Sequence, residues 1–107
     1  MSRCQKINIK QITQKIVNEF NPKMIYLFGS YAKGNATALS DLDLLIIDDS
    51  KRQKNKIALE ISKSLFPRNY ALELIVTSSE EIKAKQEKNL EFWHDIFIKS
   101  KKLYERK

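Results

Sequence analysis

The chain has 107 residues, 42% apolar and 31% charged, which leaves room for one domain over residues 1–107 and excludes a largely disordered chain. Its formal net charge of +7 suits anionic partners such as nucleotides, RNA or an acidic protein, or equally a solvated surface. The single cysteine, Cys4, excludes a disulfide framework and argues against a cysteine-based zinc site.

No apolar run reaches the length of a membrane span, and the N-terminus lacks a signal-peptide core, so a cytoplasmic protein is expected. Ile9, Ile12, Ile16, Val17 and Phe20 recur at helical spacing, with Asn8 placed to cap the helix and Asn21-Pro22 to end it. Met24 to Phe28 is a short apolar run closed by Gly29 and reads as a buried strand. Residues 29 to 40 are small and polar: a turn, a short helical piece around Tyr31 and Ala32, then a loop. Leu42 to Ile47 is the strongest strand, ended by the turn chemistry of Asp48, Asp49 and Ser50. Ile57, Ile61 and Leu65 mark a second long helix that begins within 52–56 and stops before Pro67. Ala71 to Thr77 is a third strand, and Ser78 with Glu81 fits a capping box opening a short helix. Leu90, Trp93, Ile96 and Phe97 mark a last helix, with Trp93 in its core stripe and His94 on its polar side. Leu103 and Tyr104 suggest a final short strand. The order predicts an α/β (α+β) fold: a small mixed β-sheet with helices packed on it.

The chemistry concentrates in one stretch. Both glycines fall in Gly29-Ser30-Tyr31-Ala32-Lys33-Gly34, and Ser40-Asp41-Leu42-Asp43 follows five residues later. Gly29 directly follows a strand, where the lack of a side chain allows a sharp turn and close approach of backbone N–H groups to an anion. Ser30 adds a hydroxyl donor at a helix start; the Lys-Ser/Thr ending of a P-loop is absent. Asp41 and Asp43 lie two apart at the start of a strand, so their side chains share a face, opposite to that of Leu42, Leu44 and Ile46. Two carboxylates on one face repel unless a cation sits between them, and magnesium, a hard cation with oxygen ligands, suits the position. Two such ions about 4 Å apart hold the attacking and leaving oxygens of an in-line displacement at phosphorus. Glu73 is the one ionisable residue inside the apolar strand Ala71 to Val76, which marks it either as a third carboxylate of the site or as an edge-strand residue facing water. Asp48 and Asp49 are the rival carboxylates, at the strand end where aspartate serves turns.

Gly29-Ser30, Gly34 and Ser40-Asp41-Leu42-Asp43 resemble the signature of the polymerase-beta-type nucleotidyltransferase superfamily, and the short chain resembles the minimal nucleotidyltransferase (MNT) proteins of prokaryotes. The sharp motif covers residues 26 to 47, with a looser likeness to the closing Leu103-Tyr104-Glu105. The resemblance implies a palm-like polymerase-beta fold and a triphosphate held by Gly29, Ser30 and Ser40. It also implies two magnesium ions on Asp41 and Asp43, with Glu73 as third ligand and activator of the acceptor. The chain departs from the commoner aspartate at that third place; glutamate is one methylene longer and still an oxygen ligand. MNT proteins are often paired with a HEPN-domain toxin, so the resemblance implies an antitoxin in a hetero-oligomer that transfers AMP from ATP to a tyrosine hydroxyl of that toxin.

Two further readings stay open. A binding module would neutralise its partner by contact alone, with transfer vestigial. A transferase for a small molecule of the aminoglycoside type would usually carry an additional domain for its acceptor. The motif requires neither direct nucleic-acid binding nor a membrane. The basic cluster of Lys51, Arg52, Lys54 and Lys56 is either a steering surface for the partner or a solvated loop.

Overall fold

A computed structural model describes residues 8–37, 39–88 and 98–106. The elements in chain order are α1 (Ile9–Phe20), β1 (Met24–Phe28), α2 (Gly29–Lys33), β2 (Leu42–Ile47), α3 (Lys54–Ser64), β3 (Leu72–Thr77), α4 (Ser79–Lys88) and β4 (Lys101–Glu105). The expected helix over Leu90 to Phe97, with Trp93 and His94, lies outside the described residues, as does Cys4.

Local chemistry explains the boundaries. Asn8 caps α1, its side-chain oxygen accepting the Gln11 N–H at 3.0 Å. Asn21 ends that helix in the left-handed conformation (φ 49°), its N–H donating to the Val17 carbonyl at 3.0 Å. Ser78 caps α4, its hydroxyl accepting the Glu81 N–H at 3.1 Å. The return half of the expected capping box differs: Glu81 Oε1 meets the Ser78 hydroxyl at 3.4 Å.

The four strands form one sheet in the order β3-β2-β1-β4. β1 pairs antiparallel with β2 and with β4, whereas β2 and β3 are parallel. Parallel neighbours need a long connection, and α3 provides it. Leu42, Leu44 and Ile46 join Ile25 and Leu27 beneath Ile16 of α1 and Ile57 and Ile61 of α3. The opposite face of β2 is buried too: Leu45 and Ile47 pack with Ile82 of α4, flanked by Met24, Tyr26 and Phe28. Alternation within β2 therefore does not separate core from solvent; it separates two cores, because this central strand is covered on both sides.

The far end of the sheet is tied by ions. Buried Asp48 accepts the Ser50 N–H at 2.8 Å and pairs with Arg52 at 3.3 Å. Asp49 accepts both the N–H and the hydroxyl of Ser79 at 2.8 Å and pairs with Lys23 at 3.4 Å. These contacts hold the Asp49 carboxyl below the usual aspartate range, chiefly through the Ser79 N–H.

Ile46, fully buried between β1 and β3, sets the scale of the core. Ile46→Ala is expected to cost about 2–5 kcal/mol in urea denaturation, against less than about 0.5 kcal/mol for Leu59→Ala on the exposed side of α3. Equal costs at the two positions would refute this division of the molecule.

Candidate active site

The sheet register assembles the site. Asp43, at the second position of β2, stands opposite Glu73 of β3 on one side and Phe28 of β1 on the other. Phe28 is the last residue of β1, so the chain turns into α2 at Gly29 beside the Asp43 carboxylate. Gly29 has φ +69°, where any side chain is strained, and a Cβ there would run into Oδ2 of Asp43 and lie 3.3 Å from its Cγ. The glycine thus serves a close approach to a carboxylate as well as the turn expected from sequence. Gly34, at φ +80°, closes α2.

The electrostatics are those of an unneutralised acidic pair. Asp43 binds its proton more tightly than an ordinary aspartate: first because it is half-buried, then because its protonated form hydrogen-bonds to Glu73, then because of the negative charges of Glu73 and Asp41. Among the described residues no lysine or arginine pairs with Asp41, Asp43 or Glu73, unlike the aspartates at the far end of β2. Asp41 is exposed one residue ahead of the strand, near enough to be felt by Asp43 as charge. No three such side chains among the described residues close into a finished metal cage. The donor chemistry nonetheless fits a hard divalent cation: oxygen ligands with uncompensated charge, and no Cβ beside them at Gly29.

Ser30 lies half-exposed in the first turn of α2, and its carbonyl accepts the N–H of Asn35 at 3.1 Å. Ser40 closes the loop before Asp41: its hydroxyl accepts the Thr37 N–H at 2.9 Å and its N–H donates to the Thr37 carbonyl at 3.0 Å. Asp48 and Asp49, the rival carboxylates, are separated from Asp43 by the length of β2 and engaged in turns and ion pairs.

A family model described as polymerase beta, nucleotidyltransferase, matches residues 10–107. The chain belongs to that nucleotidyltransferase family. No curated protein matches it in sequence. Among solved structures it is similar to a toxin–antitoxin crystallised with AMP-PNP, at 19% identity over 94% of this chain and 76% of that one, with a TM-score of 0.58. It is also similar to the toxin–antitoxin MntA–HpeT, at 17% identity over 94% of this chain and 76% of that one, with a TM-score of 0.61. At these identities the likeness speaks for the fold. Within the nucleotidyltransferase fold, the expected motif residues Gly29, Ser30 and Asp43 come together where β1 ends and β2 begins, and Glu73 joins them from the neighbouring strand.

Two outcomes follow from the acidic pair. A raised aspartate contributes stability fully below its ordinary value and loses it as pH rises through the raised one. In chelator, the melting-temperature gain of Asp43→Asn over wild type should therefore grow from about pH 4 to about pH 7 and shrink when magnesium is added. A gain independent of pH would mean that Asp43 and Glu73 do not repel. Gly29→Ala should destabilise the chain by about 1–3 kcal/mol and displace Asp43; unchanged stability would show that the left-handed turn is not required.

Proposed function

We propose that the chain transfers AMP from ATP to a tyrosine hydroxyl of a partner protein, a HEPN-domain toxin, and so acts as its antitoxin. The observation that carries this reading is the Asp43–Glu73 carboxyl pair, locked in register beside Gly29 in a nucleotidyltransferase domain and left without a cation among the described residues. The likeness to toxin–antitoxin folds supports the choice of a protein partner.

In this reading Gly29 and Ser30 receive the triphosphate, with Ser40 fixing the loop that presents Asp41. Asp41, Asp43 and Glu73 hold two magnesium ions, which when bound neutralise phosphate charge and favour the ionised acceptor oxygen. Glu73, on the edge strand and exposed, faces the side from which an acceptor arrives and helps take the tyrosine proton. The phenolate oxygen then forms a bond to the α-phosphorus as the bond to the bridging oxygen breaks, and pyrophosphate leaves with the electron pair. Most of the rate would come from positioning and charge neutralisation.

Intact mass of the protein that co-purifies from the native cell tests the reading. The partner should be heavier by one or more AMP units with the wild type and unmodified with Asp41→Asn, Asp43→Asn. A partner bound at unchanged mass in both cases would replace transfer by neutralisation through contact. Magnesium-ATP at about 100-fold over its Kd should stabilise the wild type by about 2.7 kcal/mol, an effect absent from the double variant. No shift at saturating ligand would exclude a working nucleotide site.

A further inference from the structure

Cover fades along one face of β3 as the strand is followed back toward the site. Glu73, Ile75 and Thr77 alternate onto the face that carries Asp43 and Leu45, whereas Leu72, Leu74 and Val76 turn to the core beneath α1 and α3. Thr77 is buried, at 5% exposure, at the end where α4 begins and Ile82 closes on Ile47. Ile75, one step nearer the site, is 52% exposed, although Leu45, its partner across the ladder, is only 1% exposed. Glu73, the next step, is exposed as well. One isoleucine in water is ordinary on a surface and in a strand. Its position distinguishes this one. Among the described residues it is the one large exposed apolar side chain on the sheet, and it adjoins Glu73 on the same strand and the same face.

Two steps of strand separate Glu73 from Ile75 by about 6.5 Å, close to the span of a tyrosine side chain from its backbone to its hydroxyl. A phenol ring laid along β3 against Ile75 therefore brings its hydroxyl to the Glu73 carboxylate. The sheet order agrees with an acceptor on this side. β3 lies on one side of Asp43, and Gly29 and Ser30, at the end of β1, lie on the other. Acceptor and triphosphate would then approach the metal-binding carboxylates from opposite sides, as an in-line displacement requires. A serine or threonine hydroxyl could reach the same carboxylate but would leave Ile75 in water. A sugar would find no hydrogen-bonding group in Ile75.

We propose that Ile75 is an acceptor-binding residue that favours a tyrosine over an aliphatic hydroxyl: its side chain supports the phenol ring while Glu73 meets the hydroxyl. The inference rests on the AMP-transfer reading and gives that transfer a source of selectivity within this chain.

Initial rates of pyrophosphate release by the full chain in magnesium-ATP test the contact, with N-acetyl-tyrosinamide as acceptor and N-acetyl-serinamide as its control. The tyrosine amide should accelerate release, and the serine amide should not. Ile75→Thr keeps a β-branched side chain in the strand but removes apolar surface. It should raise the KM for the tyrosine amide about three- to tenfold, with kcat and melting temperature held. Ile75→Val should recover most of that loss, and Leu59→Thr, on the exposed side of α3, should match wild type. An unchanged KM in Ile75→Thr, a fall in kcat alone, or equal use of the two amides would overturn the contact. A raised KM for ATP in place of the acceptor's would overturn it in favour of nucleotide binding at Ile75. No acceleration by the tyrosine amide would overturn it as well. The mass of the co-purifying partner keeps the two readings apart. AMP on that partner together with any of these failures defeats only the Ile75 contact, whereas an unmodified partner defeats transfer itself.

Discussion

The hydrogen-bonded register between β2 and β3 is the constraint on which the rest depends. It sets Asp43 opposite Glu73 in neighbouring strands, an arrangement of like charges that weakens a sheet when nothing stands between them. The ladder holds because the remaining positions of β2 are buried: Leu42, Leu44, Leu45, Ile46 and Ile47 lock the strand against both its cores. Apolar burial worth several kilocalories thus keeps in place a carboxyl pair that local electrostatics would push apart, the usual relation between a stable scaffold and a costly site.

The two ends of β2 treat acid differently. At the far end Asp48 and Asp49 meet Arg52, Lys23 and the N–H groups of Ser50 and Ser79, so their charge is answered within the chain. At the near end Asp43 meets another carboxyl group and, among the described residues, no cation; it holds its proton harder, first through burial and then through that neighbour. A strand with matched charge at one end and unmatched charge at the other is polarised toward an external cation. The overall basic balance of +7 does not contradict this, because no lysine or arginine among the described residues pairs with these carboxylates.

Much of this was legible in the sequence. Helical spacing in α1, the apolar runs of β1 and β2, and the caps at Asn8 and Ser78 are local signals, and the structure follows them within about a residue. Asp41 and Asp43 stood out by spacing, and Glu73 by being the lone charge in an apolar strand. What local pattern does not carry is pairing between distant segments. That β3 lies parallel beside β2, that Glu73 meets Asp43, and that Asp49 caps Ser79 thirty positions on depend on the crossover through α3 and on packing. The same holds for Gly29, whose need to be bare comes from a carboxylate fourteen positions later, and for Leu45 and Ile47, whose burial depends on α4.

Burial of β2 on both faces also governs how this protein can fail. A strand whose two faces are alike in polarity can slide by one residue, leaving a compact but misassembled molecule. Here a one-step slip would carry Asp43 into the space of Leu42 or Leu44 and turn a leucine toward the side of Glu73. A carboxyl group in that apolar core, whose buried residues are hydrophobic, would be left without a partner, so the slipped register is disfavoured. The residue that defines the site therefore also acts as a proofreader of the sheet: a chain that has folded at all has already aligned its carboxylates.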